Sequence, residues 1–112
     1  MNFTQEEKHL QRAETLIAKW ECADAMVWKH QRSHQGIVLR LSKEEQEGCL
    51  LLYLGDVSWY TGPLRWKNAA LEATRIHSAD SDSKYLLKDE TAGLVVRFAV
   101  LEAHQMTEKY PK

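Results

Sequence analysis

The run Leu94-Val95-Val96-Arg97-Phe98-Ala99-Val100-Leu101 settles the class of this fold. Leu94, Val96, Phe98 and Val100 fall on one face at the two-residue period of a strand, and Val95, Arg97, Ala99 and Leu101 fall on the other. Arg97 is its one polar side chain, so the run reads as a central strand covered on both sides. Cys49-Leu50-Leu51-Leu52-Tyr53-Leu54 is apolar in the same two-sided way and reads as a second central strand.

Outward from these strands, Ile37-Val38-Leu39-Arg40-Leu41 alternates Ile37, Leu39 and Leu41 onto one face. Met26-Val27-Trp28 starts its hairpin partner, with Ser33-His34-Gln35-Gly36 as the loop. A competing reading carries the preceding helix through Val27 to about His30, because Ala25 and Met26 are good helix formers. That helix places Leu10, Ala13, Leu16, Ile17, Trp20 and Ala23 at helical spacing. Thr4 is its N-cap, and Glu7 completes a capping box. On the C-terminal side, Tyr85-Leu86-Leu87-Lys88 is a short strand. Residues 64–77 contain the helix-favouring Asn68-Ala69-Ala70-Leu71-Glu72-Ala73 between β-like segments, and we read them as a strand.

The expected architecture is α+β in a single domain, residues 1–112. An N-terminal amphipathic helix (about 4–24) packs on a mainly antiparallel sheet of about five or six strands (about 26–31, 37–42, 49–54, 65–77, 84–88 and 93–102). The helix lays Leu10, Ala13, Ile17 and Trp20 on the strands at 49–54 and 94–101. Residues 104–112 form a polar tail expected to fray. Parallel pairing would need crossover segments that the short loops do not provide.

At 112 residues the chain has room for one core. Its 15 basic and 16 acidic side chains give a formal charge of −1, spread evenly along the sequence. Residues 1–35 and 36–79 each carry five of either sign, and residues 80–112 carry five basic and six acidic. This speaks against a dedicated nucleic-acid binder, which needs clustered cations. The longest apolar run, residues 49–54, is far short of the roughly 20 residues that span a bilayer. The polar start, Met1-Asn2-Phe3-Thr4-Gln5-Glu6-Glu7-Lys8, is unlike a signal peptide. The expectation is a cytoplasmic protein with no membrane partner, its Cys22 and Cys49 buried and reduced.

No familiar catalytic pattern stands out. The five glycines form no phosphate-cradling loop. Ser58 in Gly55-Asp56-Val57-Ser58-Trp59 is a loop serine rather than a nucleophile elbow. His30 and His34 would share a helix face, but in the hairpin reading they lie across a turn, and no metal is expected. Asp80-Ser81-Asp82 lacks the downstream ligands of a calcium loop, because Lys84 and Tyr85 follow. Glu44, Glu45 and Glu47 belong to a solvated connection. No cofactor is implied.

The distinctive segment is Trp59-Tyr60-Thr61-Gly62-Pro63-Leu64-Arg65-Trp66-Lys67. Trp59, Tyr60, Arg65, Trp66 and Lys67 are the candidate binding residues, since tryptophan, tyrosine and arginine dominate interface hot spots. The alternative for the two tryptophans is that they fold inward and cap the core. The function expected is a small non-catalytic binding or regulatory protein acting through a protein partner or through self-association. Two other readings compete with it. One is a single-stranded nucleic-acid binder that stacks bases on the turn and adds Arg40, Arg75 and Arg97. The other is a small-ligand protein or enzyme with a pocket assembled from His77, His104, Arg97 or Tyr85.

Overall fold

The computed structural model describes residues 4–31, 35–76 and 82–110. Helix α1 (Gln5–Lys19) is followed by β1 (Asp24–Gln31), β2 (Gly36–Ser42), β3 (Cys49–Gly55), β4 (Trp59–Thr61), β5 (Arg65–Trp66), β6 (Glu72–Arg75), β7 (Tyr85–Asp89), β8 (Leu94–Phe98) and β9 (Val100–Met106). The strands form two antiparallel sheets, ordered β5-β1-β2-β3-β9 and β4-β8-β7-β6. The α+β class read from the sequence is the one observed.

The two sheets share a bent pair of strands. Ser58 N–H donates to the Arg97 carbonyl at 2.8 Å, and Ala99 N–H donates to the Gly55 carbonyl at 2.9 Å. The ladder therefore continues across the corner as β3 leads to β4 and β8 leads to β9. Gly55 permits the bend, because a β-carbon there would lie 2.9 Å from that of Val100. The run 93–102, expected as one strand, is thus two strands in two sheets that meet at Ala99. At the corner the buried positions change phase, from Leu94, Val96 and Phe98 to Leu101 and Ala103, and Val100, expected on the face of Phe98, is 38% exposed. Apolar residues at both phases of the run concealed the change.

Within each sheet, apolar side chains pair across neighbouring strands, and those of both sheets join one buried cluster. Leu39 opposes Leu52 and Leu41 opposes Leu50, while Leu87 opposes Val96 in the second sheet. All six are fully buried or nearly so, and Tyr85 stacks on Phe98 with ring centroids 5.5 Å apart. Burying each such side chain contributes roughly 1.5–3 kcal/mol. Helix α1 spans the open side, contacting the edge strands β9 and β6 and, to a lesser extent, β3. The expected seat on 49–54 and 94–101 is thus met in part, through β3 and through the start of β9, and β6 is the contact that was not expected. Arg12 Nε donates to the Ala103 carbonyl of β9 at 3.3 Å, and Arg75 of β6 pairs with Glu7 at 3.2 Å. Trp20, 1% exposed, anchors the last turn by donating to Gln105 Oε1 at 2.8 Å.

Several boundaries need correction. The helix stops at Lys19 rather than near residue 24, and Cys22 sits at a left-handed φ of 64° before β1 begins. The favoured reading of Met26-Val27-Trp28 as the strand pairing with 37–41 holds, and the longer helix does not. Thr4 accepts from Glu7 N–H at 3.1 Å as a capping box requires, but the Glu7 carboxylate turns to Arg75. Residues 65–77 are not one strand: β5 ends at Trp66, and β6 begins at Glu72. Mutual hydrogen bonds between the 22–23 and 69 backbones hold the intervening loop (Cys22 N–H to Ala69 O, 3.0 Å; Ala69 N–H to Ala23 O, 2.9 Å). The expected tail is ordered through Tyr110, because β9 runs to Met106 and the next residues cross the outer face of the first sheet. Cys49 is buried as expected, whereas Cys22 is exposed.

Candidate functional site

The segment 59–67 links the two sheets, and its five candidate residues separate. Trp59, on β4, is 57% exposed and lies opposite Arg97. Tyr60 is half-buried and donates its hydroxyl proton to the Pro63 carbonyl, which clamps the turn. Burial pushes that hydroxyl above its ordinary value of 10.0. Gly62 has φ 138°, and a β-carbon there would come within 2.8 Å of the Leu94 Cα, so this turn needs glycine. Leu64 is 69% exposed, with its carbonyl tied to Val27 N–H at 2.9 Å.

Trp66 goes the other way. It is 9% exposed and donates its indole proton to Asp89 Oδ2 at 2.9 Å. Asp89, 1% exposed, also accepts from Ala70 N–H at 2.8 Å and from Ala92 N–H at 3.2 Å. This buried carboxylate staples the loop after β5 to the turn after β7. One candidate tryptophan thus faces solvent and the other belongs to the core. Arg65 and Lys67 are both exposed.

Arg65, Trp66 and Lys67 do meet other residues, at a cavity of ≈ 390 Å³ on the outer face of the first sheet. Arg40 of β2 lies in its lining and is only 8% exposed. Its guanidinium carbon sits 4.9 Å from the Trp28 ring centroid and 4.5 Å from that of Tyr110. Nη1 donates to the Lys109 carbonyl at 3.0 Å, and Nη2 contacts the Met26 sulfur at 3.4 Å. Arg40 Nε and Trp28 Nε1 are buried without a hydrogen-bond partner among the described residues.

The strand alternation placed Arg40 on the face opposite Leu39 and Leu41, which was the available signal. Two features hid the rest. A bulge between Val27 and Lys29 shifts the β1–β2 register at Trp28. Tyr110 arrives from a segment whose composition reads as a tail.

Other groupings considered from the sequence do not assemble. Arg75 pairs with Glu7 beside the helix and Arg97 is on the second sheet, so neither joins Arg40. His104 lies exposed on β9, whereas Tyr85 is buried on β7 of the other sheet. Ser58 is hydrogen-bonded to Ser83, with oxygens 2.6 Å apart. Asp82 is exposed, as are Glu44, Glu45 and Glu47 and also His30. His34, His77, Asp80 and Ser81 lie outside the described residues. Among the described residues no three His, Cys, Asp or Glu side chains gather as a metal site, and no helix is long and apolar enough to cross a membrane.

The chain matches no protein-family model, no curated protein sequence and no solved structure.

Proposed function

We propose that this is a small non-catalytic binding protein that acts through a protein partner, docking it on the exposed part of the 59–67 turn. The observation that carries this reading is the pair of large apolar side chains Trp59 and Leu64, 57% and 69% exposed, on a turn fixed by Gly62 and by the Tyr60–Pro63 hydrogen bond. Apolar side chains held out on a rigid turn cost little entropy when a partner covers them. Arg65 and Lys67 supply a cationic rim, where charge steers encounter and orientation. The docking set is Trp59, Leu64, Arg65 and Lys67. Tyr60 supports the turn from inside, and Trp66 belongs to the core. The single-stranded nucleic-acid reading draws less support, because Arg40, Arg75 and Arg97 are spread over separate faces.

The test is a variant carrying Trp59→Ala, Leu64→Ser and Arg65→Ala, compared with wild type for capture of partner protein from the source cells. Capture should be lost while the melting temperature stays within about 3 °C, because all three side chains are exposed. Undiminished capture by the folded variant defeats the proposal.

A further inference from the structure

The cavity at Arg40 has features that neither folding nor the turn explains. A buried guanidinium is costly unless its charge is paired and its protons are accepted. Arg40 has no carboxylate partner among the described residues, and the sulfur of Met26 is a weak acceptor. Among the described residues Nε has no acceptor, and neither does the indole nitrogen of Trp28. Both residues line the same ≈ 390 Å³ space. Buried donors without acceptors are few in folded proteins, and here two belong to residues that line one cavity. Arg65 and Lys67 line it as well, against one acid, Asp24, so its field is positive. Trp28, Trp66 and Tyr110 give it flat apolar walls.

We infer that this cavity binds a small organic carboxylate carried on a flat apolar body. The planar fork of Arg40 suits the two carboxylate oxygens, and the Trp28 indole supplies a further donor. The aromatic walls take the body of the ligand. The volume lies near the lower end of the range for small-molecule sites. Tyr110 is the gate: its ring lies over Arg40 yet is 65% exposed, so it can turn aside at little cost in packing. This inference shares Arg65 and Lys67 with the docking proposal but does not depend on it. Trp59 and Leu64 are not in the cavity lining, and a ligand here requires no protein partner.

Benzoate is the probe, followed by nitrogen–proton correlation spectra of the full chain. The Trp28 indole and Arg40 Nε resonances should shift saturably, with a Kd of about 1 mM or tighter. Benzamide, of the same shape without the charge, should bind at least about tenfold more weakly. Arg40→Met should weaken benzoate about tenfold or more, and Trp28→Phe, which keeps a ring and removes the donor, about threefold or more. If Arg40→Met does not fold, Trp28→Phe decides. No saturation by about 10 mM benzoate overturns the inference. Equal binding of benzamide, or undiminished binding by the folded variants, overturns it as well. Phenyl phosphate binding about tenfold tighter than benzoate overturns the carboxylate assignment.

Discussion

Arg40 and Asp89 are both buried charged residues, 8% and 1% exposed, and the chain treats them differently. Asp89 sits between the loop after β5 and the turn after β7, where one indole and two backbone N–H groups converge on its oxygens. Arg40 sits on the outer face of the first sheet with a carbonyl, a sulfur and two aromatic rings, and with Nε unanswered among the described residues. A satisfied buried charge holds its neighbours in place, whereas a half-satisfied one is costly and calls for a partner. The first therefore reads as structure and the second as a site. Each can be tested against the other.

The largest effect is expected at Asp89. Asp89→Ala leaves the Trp66 indole and the Ala70 N–H without acceptors, at a cost of about 3–5 kcal/mol. Urea unfolding followed by tryptophan fluorescence measures it. A loss below about 1 kcal/mol would remove Asp89 from the structural side of the contrast.

Arg40→Met should behave in the opposite way. It removes one bond to the Lys109 carbonyl and the ring contacts, but it also removes a buried charge that has no counter-ion among the described residues. The two changes nearly cancel, so stability should move by no more than about 1 kcal/mol in either direction. A loss comparable to that of Asp89→Ala would show that Arg40 is as structural as Asp89 and would erase the contrast.

How far these two residues could be read from the sequence follows from how local their settings are. The alternation of Ile37, Leu39 and Leu41 defines β2 and puts Arg40 on its opposite face, a matter of nearest neighbours along one strand. The central strand at 49–54, the first helix and the hairpin pair are legible for the same reason, whereas the run 94–101 concealed its division into β8 and the edge strand β9. Asp89 is different, because its donors come from residues 66, 70 and 92, and only the path of the loop after β5 brings the first two to it. Reading 65–77 as one strand hid that loop. Propensity within the stretch gave no hint that residue 69 pairs with residues 22 and 23 of the helix–strand junction. The turn at 59–67 was recognisable by composition, but which tryptophan faced inward depended on that acceptor, 23 residues away from Trp66.

The smallest effect concerns Cys49, where the charge of Arg40 is felt at a distance. Burial pushes the Cys49 thiol above its ordinary 9.0, and the positive charge of Arg40 works against that rise. The folded chain thus holds the proton to higher pH than the unfolded chain does. The resulting stability is fully present below pH 9.0 and is lost as pH climbs through the raised value. Thiol titration should label the exposed Cys22 at once and Cys49 only slowly. In Arg40→Met the opposing charge is gone, so the alkylation midpoint of Cys49 should move further up. Asp89→Asn, which also changes a buried charge, should leave it where it is, because Asp89 is not among the groups acting on Cys49. An unchanged midpoint in Arg40→Met would mean that this guanidinium is neutralised by something nearby, and the contrast with Asp89 would then lose its electrostatic half.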